Sequence, residues 1–136
     1  MRVRMISPEF VERVLLPDDD PKAKRQTIRP SAWPTGEPLS LRVWTEKPYR
    51  SKQREVAVVE CELTEPATVR DHGVELPDAG IYLHTGAARV TLGVFAMRDG
   101  FDSWDDMARW FQSRYTLPWS GVVNHFRVLH RTEATP

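Results

Sequence analysis

The chain has 136 residues, 40% of them hydrophobic and including five Trp and five Phe, enough for one packed domain over 1–136 and too apolar for a disordered chain. Nineteen Lys and Arg balance nineteen Asp and Glu at a pI near 6.9, which argues against a strong non-specific duplex binder and leaves room for a local basic patch. No apolar run nears the ~18 residues of a membrane span and no signal-like segment opens the chain, so a cytoplasmic protein with no membrane partner is expected.

In chain order, residues 2–6 read as a short strand or arm. Ser7-Pro8-Glu9 then opens a helix over about 7–16, with a capping hydroxyl, a proline in the first turn and an acid at the positive end of the dipole. Phe10, Val11, Val14 and Leu15 recur at helical spacing and should face a core; the Pro- and Asp-rich run 17–21 ends the helix. Next comes Lys24-Arg25-Gln26-Thr27-Ile28-Arg29-Pro30. If it is extended, Thr27 and Arg29 share one face and Ile28 points into a core. An amine, a hydroxyl and a guanidinium so close together make a pocket for an anionic or strongly polar ligand. A solvated basic edge strand is the plain alternative.

Residues 39–43 alternate as a half-buried strand, and 54–64, apolar on both faces in its first half, reads as a central strand. Cys61 lies in it as a small buried hydrophobe, and a lone cysteine fits a reducing compartment. Residues 67–72 and 80–83 look like further short strands, and 89–96 like another strand or extended segment. Ser103-Trp104-Asp105-Asp106 caps a helix over about 103–115, whose Trp104, Trp110 and Phe111 should face the core. Residues 121–128 return as a last strand. Several short strands with two or more helices give α+β, and a small β-barrel of five to six strands is the natural way to remove the sheet edges.

Three strings carry a family resemblance: Lys24 to Pro30, Arg50-Ser51-Lys52, and Asp99-Gly100-Phe101 at a helix start. From about Phe10 to Val128 the chain resembles the ASCH domain of the PUA-like superfamily, whose signature is Gly-x-Lys-x-x-Thr-x-Arg. It looks most like the single-domain versions found in phage and prophage genomes. The resemblance implies a PUA-like barrel and an RNA, nucleoside or nucleotide partner. One branch of the family hydrolyses acetylated cytidine nucleosides with a Lys, a Thr and a downstream acid, which map onto Lys24, Thr27 and Asp99. Some members are ribonucleases. There are two departures: Lys22 stands at the signature glycine, which changes how that loop meets a ligand, and Asp99 stands where the hydrolytic branch has Glu.

A threonine is a weak nucleophile until a base takes its proton, and a lysine with a depressed pKa in a pocket can be that base. Arg29 would favour the neutral amine and hold an oxyanion or phosphate. Asp102, Asp105 and Asp106 serve the helix start, whereas Asp99 lies outside it. Arg50 and Lys52 are either phosphate contacts beside the pocket or solvated loop residues. Trp33 is either a base-stacking platform or a packed loop residue. The four histidines have no metal-ligand spacing and Asp18-Asp19-Asp20 reads as a solvated run, so no metal or other cofactor is expected. Two functions stay open. One is a monomeric module that binds RNA or a modified nucleoside through Lys24, Arg29, Arg50 and Lys52. The other is a small hydrolase acting on an acylated, N4-acetylcytidine-like nucleoside, or a ribonuclease.

Overall fold

Period-two alternation builds the sheet. In the structure, a computed structural model that describes residues 1–47, 52–86 and 89–133 (backbone alone at 89 and 90), seven strands form one mixed sheet. They are β1 (Arg2–Met5), β2 (Gln26–Arg29), β3 (Pro38–Trp44), β4 (Gln53–Arg70), β5 (Gly73–Leu76), β6 (Ile81–His84) and β7 (Trp119–Arg131). Helices α1 (Val11–Leu15), α2 (Arg89–Arg98) and α3 (Trp104–Arg114) accompany it, and Pro8–Phe10 forms a single 3-10 turn ahead of α1. The fold is α+β, with seven strands rather than five or six. None of its described helices is long and apolar enough to cross a membrane.

The long strands β4 and β7 form an antiparallel spine from Ala57↔Arg131 to Val69↔Trp119. On the other edge of β4, β3 pairs with its first half and β5 with its last three residues. β1 joins β3 in parallel, β6 joins β5, and β2 joins β7. Among the described residues β1, β2 and β6 each pair with one strand, so these ladders do not close into the ring that edge removal led us to expect. A side chain links β2 to β1 instead: Arg29 Nη2 donates to the Met5 carbonyl at 2.8 Å.

Two hydrophobic clusters divide this sheet. Val14 and Leu15 of α1 pack with Leu39, Leu41, Val43, Val56, Val59 and Phe126. The other cluster gathers α2, α3, β5 and β6 on the far half of β4, around Leu92, Phe95, Met107 and Phe111. Burying side chains of this size contributes about 1.5–3 kcal/mol each. α3 starts as its sequence dictates, with Ser103 Oγ accepting from the Asp106 amide at 3.2 Å.

Four local points depart from expectation. The helix expected over 7–16 is a 3-10 turn followed by the short α1, and the Ser7 hydroxyl makes no cap hydrogen bond. Residues 54–64 and 67–70 are one strand, with 71–72 in the turn that follows, because Pro66 lies between the β3 and β5 pairings, where that edge of β4 has no ladder to lose. Residues 89–96 are helical: Leu92, Phe95 and Ala96 are buried at helical spacing, and their packing overrides the Val, Thr and Gly among them. β5 was not foreseen; it turns back on β4 through Asp71 and His72.

Candidate active site

The chain leaving α1 is fastened before it reaches β2. Arg25, itself buried, donates to the carbonyls of Val14 at 3.0 Å, Lys24 at 2.7 Å and Leu16 at 2.5 Å, and pairs with Asp18 at 3.0 Å. The Lys24 amide donates to the Arg13 carbonyl at 3.0 Å. Lys22 stays exposed and outside the site, its amide on Asp20 Oδ1 at 2.9 Å. The Lys24 side chain is thereby directed inward. It is 1% exposed, with Nζ 4.4 Å from the centre of the Phe10 ring.

Asp99 meets it from the end of α2. Lys24 Nζ donates to the Asp99 carbonyl and lies 4.0 Å from its Oδ2, while Gln26 Nε2 donates to Oδ1 at 3.3 Å. Gly100 makes this approach possible. Its φ is +102°, and a Cβ there would fall 2.7 Å from the Phe10 ring and 3.1 Å from Lys24 Cδ. Burial is the main cause of a Lys24 pKa lowered to about 8, with Asp99 pulling it back up and Arg29 pushing it further down. Burial likewise raises the pKa of Asp99, against the pull of Lys24 and the Gln26 hydrogen bond. The amine is therefore within reach of its neutral, basic form near neutral pH.

Thr27 and Arg29 complete the wall. Arg29 Nε donates to Thr27 Oγ1 at 3.1 Å, so a fixed cation sits on the hydroxyl oxygen and leaves its proton free to be given away. Lys24, Thr27, Arg29, Asp99, Ser7 and Tyr115 all border one cavity of about 70 Å³. Ile28 borders it too, as do Phe10, Phe101 and Phe111 of the core cluster to which its side chain belongs. Arg25 O accepts from the Phe126 amide, and Gln26 stands opposite His125, so alternation turns the N–H of Ile28 away from β7 toward the open edge of β2. The Ile28 side chain is buried as expected, packed with Val123 in the α2–α3 core. A larger cavity of about 330 Å³ lies near Leu92, Val94 and Trp104, but it lacks a buried pair of titratable groups.

The sequence candidates separate. Lys24, Thr27, Arg29 and Asp99 converge on the cavity. Lys52 is exposed and does not line it, and Arg50 lies outside the described residues. Trp33 is no stacking platform. It is 5% exposed and packs 5.9 Å from Phe126, because the Asn124 side chain accepts from its backbone amide at 2.8 Å and seats it in the α1 core. Sequence reasoning missed Gln26, which sits inside the motif string, and Tyr115, one residue past the end of α3. Compared with models of known families, with curated proteins and with solved structures, the chain matches none.

Proposed function

We propose that the chain is an ASCH-type domain of the PUA-like superfamily, its open sheet corresponding to the barrel of that fold, which binds a modified nucleoside and hydrolyses a small acyl group from it. The observation that carries this reading is the buried Lys24–Asp99 pair beside Thr27. Phosphate attraction calls for exposed, fully charged cations. An amine held near pKa 8 in a cavity instead has the protonation behaviour of a general base. A cavity of about 70 Å³ is far below the ~300–1,000 Å³ of pockets that enclose whole ligands, and it suits an acyl group alone. Buried Cys61, the single thiol, suits the reducing cytoplasm.

In this reading neutral Lys24 Nζ accepts the Thr27 proton as Oγ1 attacks the acyl carbon. Arg29 stabilises the oxygen of Thr27 as it loses its proton, and the Ile28 N–H faces the oxyanion that develops on the substrate. Asp99 stabilises the ammonium that forms on Lys24. Collapse breaks the C–N bond, the leaving amine takes the proton from Lys24, and Thr27 carries the acyl group as an ester. A water deprotonated by Lys24 then cleaves that ester and returns Thr27. The sum is amide and water to amine, carboxylate and a proton.

The test is incubation with N4-acetylcytidine, N4-benzoylcytidine and a short RNA, read by chromatography. Cytidine and acetate are expected from the first, at least tenfold slower release from the bulkier benzoyl compound, and intact RNA. RNA fragments would make it a ribonuclease. Nucleoside binding without any product would leave the binding-only reading.

A further inference from the structure

If only the acyl group enters the cavity, the planar base must rest outside it, against whatever the rim offers. Among the aromatic residues lining the cavity, Phe10, Phe101 and Phe111 are buried. Trp110 is covered by Arg114, whose guanidinium lies 4.0 Å from its ring centre, and its Nε1 donates to Glu9 at 3.2 Å. Tyr115 remains, half-buried. It stacks on Trp119 with centroids 4.3 Å apart and planes 20° from parallel. Phe111 is 5.9 Å from Tyr115 and 5.8 Å from Trp119, so it stands beside the stack rather than on its end. The face of Tyr115 away from Trp119 is not covered by it.

This stack is built against β2. A Cβ on Gly121 would fall 2.6 Å from the Trp119 ring and 2.7 Å from the Arg29 carbonyl, so the missing side chain lets the indole lie back over the backbone next to Arg29. Tyr115 and Arg29 border the same cavity, which brings the two groups to one site. We infer that Tyr115, backed by Trp119, is the specificity-determining platform on which the planar heterocycle of the substrate stacks while its acyl group reaches Thr27. Base–aromatic stacking tolerates many bases, so the platform selects for a flat aromatic amine rather than for one nucleobase. The inference rests on the nucleoside reading above and goes beyond it by assigning the base subsite.

Tyr115→Leu keeps the bulk and removes the ring face, whereas Tyr115→Phe keeps the ring. With N4-acetylcytidine we expect the Leu variant to raise KM at least tenfold with kcat changed less than threefold, and the Phe variant to stay within threefold of wild type in both. An unchanged KM in the Leu variant would overturn the assignment. So would a Phe variant as impaired as the Leu variant. Titration with plain cytidine, followed by tryptophan fluorescence or calorimetry, separates this result from a failure of the hydrolase reading. If wild type turns over no acylated nucleoside, cytidine binding weakened at least tenfold in Tyr115→Leu still supports the platform. Equal affinities, or no cytidine binding by wild type, would overturn it.

Discussion

Thr27→Ala and Lys24→Met are each expected to lower turnover of N4-acetylcytidine by about 10³-fold or more, because in the proposed reaction nucleophile and base act as one unit. The double variant should be scarcely worse than either single one. Thr27→Ser retains the hydroxyl and should keep activity within about tenfold of wild type. Circular dichroism and denaturant midpoints establish that each variant is folded. A Thr27→Ala protein that works at the wild-type rate would remove Thr27 as the nucleophile.

The same site should cost the fold stability at neutral pH. Lys24 binds its proton less tightly in the folded state, at about pKa 8 against 10.5 for the free side chain. Between these values the unfolded chain holds more protons, so the contribution of Lys24 to stability rises with pH across that window, by roughly 3 kcal/mol in total. Asp99 has the opposite sign in acid. Its raised pKa means that its contribution falls as pH climbs from its ordinary value near 3.8 through its folded value. At pH 7 both groups are held at a cost, so Lys24→Met combined with Asp99→Asn should be more stable than wild type while inactive. Denaturant titrations should show that advantage shrinking between pH 8 and 10.5. An advantage that stays constant over this range would mean that Lys24 does not titrate there in the folded protein.

Much of this was legible in the sequence because it depends on neighbours in the chain. Alternation marked β3, the hydroxyl and acid at 103 and 106 marked the start of α3, and residue parity put Thr27 and Arg29 on one wall with the Ile28 side chain in the core. The remainder was set by distant contacts. The helical state of 89–98 depends on Leu92 and Phe95 finding a core, and the burial of Trp33 on an amide bonded to Asn124, 91 residues away. The Tyr115–Trp119 stack depends on Gly121 leaving room for an indole, which no local pattern announces. Ladder closure is likewise a property of the whole sheet, and among the described residues β2 pairs on one edge alone.

The central claim is that a buried lysine next to an aspartate is poised to act as a base. It is tested most directly by titrating the Lys24 side chain itself. The chain has four lysines, so in protein carrying 13C-labelled lysine the Lys24 Cε signal is assigned by its loss in Lys24→Met. The account predicts a titration near pH 8, lowered further in Asp99→Asn because Asp99 raises this pKa, and an acid limb of kcat/KM that moves with it in both proteins. A Lys24 that titrates near 10.5, or one whose pKa is unaffected by Asp99→Asn, would contradict it.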